Sequence, residues 1–418
     1  MPSPAPPSSR RTAAERAMGR EVLAATTWVQ VLGSAGMLLV PTLAPQIAAS
    51  FGMPTRLVGL QISVLYGVAM LSSLQAGAVA RRMGACRTSQ GVLLLVAAGC
   101  LIAVTGTPAA LLVTTLLLGV AYGMTNPAAA QLLARFTPSE RRNMVYSIKQ
   151  TGVPLGGVLA GMVAPPLAEA WSWHAAFLAL GVVALLTALV LQRRRGLWDS
   201  DRDPSARLQG LGSLAVLRRR RPIFWLGMAG FCLAAAQLSL LTFTVAFLVE
   251  ELFMTLVMAG AVMSVIHVAG VLGRVGWGFL ADRLGRSVTV LYGLAGSMVG
   301  LFSVTALLGA ATPTWLVMAL LIAAGATAIG WNGVYLAEVA RRSPHLEVGE
   351  ATAAVLVLTY MGVLTGPALF SLIVGLSGSY AIGFLLPAAS SALAVVCLFA
   401  CASASEGETL QRSSSKSP

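Results

Sequence analysis

The chain has 418 residues, of which 57% are hydrophobic and 10% are charged, and its mean hydropathy is +0.81. This composition excludes a set of soluble domains, although the length alone would allow two or three. The formal net charge of +13 does not indicate nucleic-acid binding, because the arginines lie in clusters between apolar segments.

Uncharged apolar stretches that are long enough to cross a bilayer recur along the chain. No charged residue occurs at 22–55, 57–80 or 88–134, whereas about 18 apolar residues already indicate a membrane span. The breaks at charges, prolines and glycines predict an all-α polytopic membrane protein, since a membrane β-barrel would show alternating segments of about ten residues. Twelve helices are predicted, at 24–49, 57–80, 89–106, 109–134, 144–168, 173–192, 222–249, 257–281, 287–310, 313–340, 350–375 and 378–402.

These helices form two sets of six, separated by one long polar segment with nine arginines and three aspartates. We expect five regions: a disordered N-terminal tail (1–21), a first six-helix bundle (22–192), a basic linker (193–221), a second six-helix bundle (222–402) and a disordered C-terminal tail (403–418).

The distribution of basic residues predicts the orientation in the membrane. Every second connection carries arginines, whereas Arg56 is the one basic residue in the intervening connections. Because basic loops stay on the cytoplasmic side, this pattern predicts an inner-membrane protein with both termini and the linker in the cytoplasm.

The two halves are also related in sequence. An offset of 201 residues pairs Gly77 with Gly278 and Arg82 with Arg283, and an offset of 206 residues pairs Asn126 with Asn332. Two six-helix repeats in parallel order are the architecture expected of a transporter whose halves rock against each other.

The segment GFLADRLGR (278–286), which follows the eighth predicted helix, has a degenerate copy, GAVARRMGA, at 77–85. It resembles the signature of loops 2–3 and 8–9 in the major facilitator superfamily. The resemblance covers 22–402 and implies two six-helix bundles around a central cavity, lined by helices one, four, seven and ten, and secondary transport without ATP. Two departures from the family pattern are Arg81, where an aspartate is usual, and Thr115, where many proton-driven members carry an arginine.

Other site types have no motif in the sequence. There is no GxxxxGK[ST] phosphate loop, and the five cysteines form no CxxC pair. No nucleophile–base pair or metal cluster is apparent, so we predict that the protein is not an enzyme and has no cofactor or metal.

Ionisable groups inside a membrane are costly and therefore indicate function. His267 falls in the middle of helix eight and is either the candidate for proton coupling or a hydrogen-bonded core histidine. Lys149 in helix five either binds substrate or extends to the headgroups. For Arg274 the alternatives are the charged cluster around Asp282, which we expect, and contact with substrate. The remaining candidates for substrate binding are polar or aromatic residues in predicted cavity helices or beside Lys149: Gln30, Tyr122, Asn126, Gln150, Gln237, Trp331, Asn332 and Tyr335.

The signature loops and their arginines are predicted to gate the cytoplasmic side. We expect Asp282 near Arg141 or Arg142, and Arg81 near Glu347 or Glu350, in an outward-facing state, because helix N-termini and opposite charges then meet. The gating candidates are completed by Arg82, Arg274, Arg283 and Arg286.

Three functions follow from this sequence. A basic interior without central acids favours the uptake of a small organic anion together with protons, by a monomer. The alternative is the efflux of drugs or other amphipathic compounds, and the third is a transporter-like sensor that binds a ligand without transporting it. The sequence indicates no nucleic-acid partner.

Overall fold

The computed structural model describes residues 13–137, 142–205, 215–309, 311–343 and 348–414. In these residues twelve helices are long and apolar enough to cross a membrane, which confirms the predicted number and the all-α class. They are α1 (Ala13–Thr42), α2 (Thr55–Met83), α3 (Ala85–Ala103), α4 (Pro108–Phe136), α5 (Ile148–Ala170), α6 (Trp173–Trp198), α7 (Arg221–Glu250), α8 (Leu256–Leu284), α9 (Ser287–Thr305), α10 (Thr314–Arg342), α11 (Ala354–Ser377) and α12 (Tyr380–Ala404).

The structure describes helix in parts of both predicted tails. The α1 helix begins at Ala13, and the helix that contains α12 continues to Ser414. The residues before Val22 are rich in Ala, Glu, Arg and Met, which favour helix. This extension is also held by the linker, because Arg194 Nε donates to Glu21 Oε1 at 2.5 Å.

The helices pack as two bundles, α1–α6 and α7–α12. Within the first bundle α4 packs on α2 and α3, and within the second bundle α7 packs on α11 and α12. Between the bundles, α2 packs on α11 and α5 packs on α8. We call the end of the molecule that carries the chain termini and the signature loops the basic side, and the other end the opposite side.

The bundles meet on the opposite side. Ser63 Oγ of α2 donates to the Leu364 carbonyl at 2.6 Å, and Ser371 Oγ of α11 donates to the Arg56 carbonyl at 2.7 Å. Ser264 Oγ of α8 donates to the Val158 carbonyl at 3.2 Å. Since these contacts come from the opposite-side halves of their helices, the structure is closed on that side.

Glycines allow α5 and α8 to approach closely at this closure. A Cβ built on Gly161 would lie 2.5 Å from the Gly260 carbonyl oxygen, and one on Gly260 would lie 2.5 Å from the Gly161 oxygen. The two backbones are therefore in direct contact, which is the usual way in which small residues bring membrane helices together.

Candidate functional site

A central cavity of about 180 Å³ lies between the two bundles. Eight helices contribute to its wall: α1, α2, α4 and α5 from the first bundle, and α7, α8, α10 and α11 from the second. The polar and aromatic side chains among its lining residues are Tyr66, Tyr122, Asn126, Gln150, Gln237, His267, Arg274, Trp331, Asn332, Thr359 and Tyr360.

Lys149 is buried beside this cavity and does not extend to the membrane surface. Its Nζ donates to Gln30 Oε1 of α1 at 2.6 Å and to Asn126 Oδ1 of α4. Gln30 Nε2 in turn donates to Ser34 Oγ at 3.2 Å. Lys149 therefore joins three helices, and Asn126 connects it with the cavity wall.

A break in α5 positions Lys149 and Gln150. One helical segment ends at Gln150 and the next begins at Gly152. Pro154 has no N–H group with which to bond the Gln150 carbonyl, so a continuous helix would lose a hydrogen bond here. Lys149 thus occupies the end of a short helix, next to the cavity.

The second bundle contains a related amide cluster without a lysine. Gln237 Oε1 of α7 accepts from Trp331 Nε1 at 3.0 Å and from Asn332 Nδ2 at 3.2 Å. Gln30 and Gln237 are 207 residues apart and Asn126 and Asn332 are 206 apart, so both pairs follow the internal repeat. In the first bundle Lys149 bridges the two amides, whereas in the second the amides bond directly.

The structure corrects the predicted position of Arg274. Its side chain lines the cavity, and Nε donates at 3.0 Å to the carbonyl of Ile329, at the break between the two helical segments of α10. The Asp282 cluster is out of reach because eight helical residues separate the two positions, which corresponds to about 12 Å. Each bundle thus provides one basic side chain to the region of the cavity, Lys149 from the first and Arg274 from the second.

His267 is buried and lines the cavity, next to α5. Its Nδ1 lies 2.9 Å from the Met263 carbonyl oxygen, so this nitrogen carries the proton and donates. Nε2 is then an acceptor, and it is buried with no hydrogen-bond partner among the described residues. An unpaired buried nitrogen is a place where a proton or a ligand donor can bind.

Tyrosines form much of the remaining wall. The rings of Tyr66 and Tyr122 meet edge to face with centroids 5.6 Å apart, and Tyr360 lies 6.4 Å from Tyr66. Tyr335, which we expected in the wall, is instead buried behind it against Gly230 and contacts the ring of Trp331. Tyr360 was not among our candidates because nothing in its local sequence shows that α11 faces the cavity at that residue. Tyr66 could have been proposed, since it is the repeat partner of His267.

The described residues contain no cluster of three or more His, Cys, Asp or Glu that could hold a metal ion. No aspartate or glutamate lines the cavity in this part of the chain. Its polar groups are amides, hydroxyls, one histidine and one guanidinium, with Lys149 behind Asn126. Such a set can bind an anion by hydrogen bonds and charge, with aromatic faces around its apolar portion.

The predicted gating contacts fall partly outside the described residues. Arg141 and Glu347 are not described, and neither are the side chains of Arg142 and Glu350. Asp282, Arg82, Arg283 and Arg286 are exposed on the basic side. The contacts predicted for an outward-facing state therefore remain a prediction.

A family model described as Major Facilitator Superfamily matches residues 23–338. Among solved structures, a bacterial homologue of the human lysosomal transporter Spinster, in an inward-facing and occupied conformation, superposes with a TM-score of 0.72. That alignment covers 95% of this chain and 98% of the other at 16% identity, so it shows the fold alone.

The sequence relatives are named for uptake, for efflux or for no established substrate. The hexuronate transporter of Bacillus subtilis is 22% identical over 66% of this chain and 69% of its own length. The cis,cis-muconate transport protein of Acinetobacter baylyi is 26% identical (41% and 44%), and an MFS-type efflux pump of Mycolicibacterium smegmatis is 32% identical (40% of each). The chain spans only 37% of the length of an uncharacterised MFS-type transporter of Mycobacterium tuberculosis, at 29% identity.

Proposed function

We propose that this chain, which belongs to the Major Facilitator Superfamily, imports a small organic carboxylate together with protons by alternating access. Its basic side faces the cytoplasm and its opposite side faces outward, across the inner membrane, and a monomer is the transporting unit. The described conformation is then closed to the outside.

One observation carries the proposal of an anionic substrate. Arg274 and Lys149 approach the cavity from different bundles, and no acidic side chain lines it in the described residues. Two unit charges about 4 Å apart attract by about 4 kcal/mol near a protein surface, so a carboxylate gains strongly from this arrangement. A cationic substrate would be repelled in the same way.

The geometry of the two basic groups also suits alternating access. Arg274 moves with α8 and Lys149 with α5, and these two helices form part of the interface between the bundles. A carboxylate that contacts both groups favours the closed arrangement of the bundles, because it neutralises like charges that approach each other. The relatives named for hexuronate and for cis,cis-muconate support the same class of substrate.

His267 is the proposed proton carrier. His267 lines the cavity together with a basic neighbour on the same helix, Arg274, and its Nε2 is buried against Gly157 of α5 without a hydrogen-bond partner among the described residues. A substrate carboxylate in the cavity would compensate an added proton, so the anion and the proton stabilise each other's binding. This mutual dependence is what symport requires.

The test is uptake of labelled cis,cis-muconate and glucuronate into proteoliposomes, with and without an inwardly directed proton gradient. We expect gradient-dependent uptake of at least one acid and acidification of the lumen, read with a trapped pH dye. The His267→Gln variant should exchange internal for external substrate but lose the response to the gradient. Absence of gradient-dependent flux of any tested carboxylate would overturn the proposal.

Efflux of amphipathic compounds is the second candidate, because the M. smegmatis relative is named as an efflux pump. It predicts that a strain lacking this protein becomes hypersensitive to apolar toxic compounds and that carboxylate uptake is absent. Measuring both quantities in the same strain pair separates the two functions.

A further inference from the structure

The linker does not leave the first bundle where α6 ends. The segment Trp198–Asp203, which we call the docked segment, lies across the basic-side ends of α2, α3 and α4. Its sequence, WDSDRD, contains all three linker aspartates. Each aspartate contacts a different helix end.

Asp199 holds the start of α3. Its Oδ1 accepts from the Cys86 N–H at 2.7 Å, and its Oδ2 accepts from the Arg87 N–H at 3.1 Å. The Arg87 side chain adds an ion pair at 3.5 Å. Burial raises the pKa of the Asp199 carboxyl, and the two backbone hydrogen bonds oppose that rise.

The turn between α2 and α3 is shaped to receive this carboxylate. Gly84 has a φ of +103°, which side chains other than glycine rarely adopt. A Cβ at Gly84 would also overlap the carboxylate of Asp199. Gly84, which corresponds to Gly285 in the second signature copy, therefore makes room for a linker residue in the first copy.

The end of α4 is held by Arg135. Its guanidinium donates to Ser200 Oγ at 2.6 Å, to Asp201 Oδ1 at 3.1 Å and to the Trp198 carbonyl at 3.3 Å. Three bonds from one side chain fix both the position and the direction of the segment. Trp198 itself is 2% exposed, and its Nε1 donates to Met18 Sδ of α1 at 3.4 Å.

The end of α2 is contacted by Asp203. Its backbone N–H donates to the Arg81 carbonyl at 2.8 Å, and hydrogen bonds from Ser205 lower the pKa of the Asp203 carboxyl. An ionised carboxylate thus lies near Arg81, the residue that replaces the usual aspartate of the first signature copy. The second copy keeps its aspartate, Asp282, which is exposed.

We propose that the docked segment supplies the acidic groups that the first signature copy lacks, so that Trp198–Asp203 moves as a part of the first bundle throughout transport. Asp199 and Asp201 are then positioning residues for transport, and the connection that adjusts to movement of the bundles begins after residue 203. This proposal depends on membership of a transporter family and not on the identity of the substrate.

Distances between spin labels test this proposal without any substrate. In a background in which the five buried cysteines are replaced, Arg202→Cys labels the docked segment, Trp171→Cys labels the opposite-side end of the first bundle, and Leu307→Cys labels that of the second. The pair 171–307 reports the separation of the two bundles. We expect one narrow distance distribution for the pair 171–202 in every sample, including a Gly161→Leu variant designed to separate α5 from α8. A broad, bimodal or shifted 171–202 distribution would overturn the proposal.

Uptake kinetics with labelled cis,cis-muconate provide a second test. Asp199→Asn should lower the maximal rate about tenfold, which corresponds to about 1.4 kcal/mol, with the KM unchanged. Arg135→Asp should also slow uptake, and Asp201→Arg added to it should recover part of the rate. Arg202→Asp, a charge reversal at a neighbouring exposed residue, is the matched control and should have no effect. An equal loss of uptake rate in the control, or no recovery in the double variant, would contradict the proposed role. Absence of uptake by the parent protein would concern the proposed substrate only.

Discussion

Replacing Arg274 with glutamine tests the proposed anion site most directly. The change removes the positive charge that α8 brings to the cavity wall. The glutamine amide nitrogen, which is as many bonds from Cα as Nε is, can still donate to the Ile329 carbonyl, which Nε contacts at 3.0 Å in the native protein. Among the described residues of the cavity wall, Arg274 is the one arginine or lysine. No neighbouring cation in that wall can therefore replace its charge.

The magnitude follows from the charge that is lost. A hydrogen bond to a charged group contributes about 1.5–3 kcal/mol, and each 1.4 kcal/mol corresponds to about a tenfold change in an equilibrium constant. We therefore expect the KM for a carboxylate to rise between about tenfold and a hundredfold. The Arg274→Lys variant keeps the charge and loses the planar guanidinium, so its KM should lie between those of Arg274→Gln and the native protein.

The assay is initial-rate uptake of a labelled carboxylate in proteoliposomes, together with competition by the acid and by its uncharged amide. Arg274→Gln should weaken competition by the acid and leave competition by the amide unchanged. Arg193→Gln, at an exposed arginine of the linker that is not among the gating candidates, is the matched control and should alter neither. An unchanged KM for the acid in Arg274→Gln would refute the reasoning.

Three further predictions concern the cavity and its closure. Lys149→Met should lower the free energy of unfolding by about 1–3 kcal/mol for each acceptor left without a donor, because Gln30 Oε1 and Asn126 Oδ1 lose their bonds to Nζ. Thermal unfolding in detergent measures this change, and an unchanged melting temperature would contradict it. Gln237→Leu should weaken substrate binding without abolishing folding, because Trp331 and Asn332 lose their common acceptor; binding calorimetry checks this, and native affinity would contradict it. Gly161→Leu should favour opening of the opposite side, because the backbones of α5 and α8 no longer fit together. A cysteine introduced at Ser264 should then react faster with a thiol reagent than the same cysteine in the protein with Gly161, and equal rates would count against this account.

The fold could be predicted from the sequence because the membrane imposes simple rules. Each span needs a long apolar segment, and the arginine clusters and the repeat offsets mark where one helix ends and the next begins. The tails were harder to predict. The segments before Val22 and after Ala402 lie outside the apolar region, yet they contain helix-forming residues. The prediction of disorder gave more weight to their polarity than to their helix propensity.

The site was only partly predictable for a geometric reason. Asn126, Asn332, Gln237 and Trp331 lie on helices that the family resemblance assigns to the cavity, and the structure brings them to its wall. Arg274 was expected in the charged cluster around Asp282 because the two residues are close in sequence. The rise of the helix nevertheless separates the two side chains. Neither the bridge from Lys149 to Gln30 nor the contribution of Tyr360 has a local signal, because both depend on which helix faces which.

The closure on the opposite side has a consequence for how the two gates respond to their surroundings. Ser63, Ser264 and Ser371 each donate a hydroxyl to a main-chain carbonyl of the other bundle, and glycine backbones complete the contact. Uncharged bonds of this kind do not titrate and are hardly screened by ions. These three hydrogen bonds should therefore hold equally well in dilute and concentrated media, and over a wide range of acidity on that side. Charge enters this closure through Arg56, whose side chain lies against Gly375 of the other bundle. Any salt dependence of the opposite-side gate would therefore originate at that contact and not in the hydroxyl bonds.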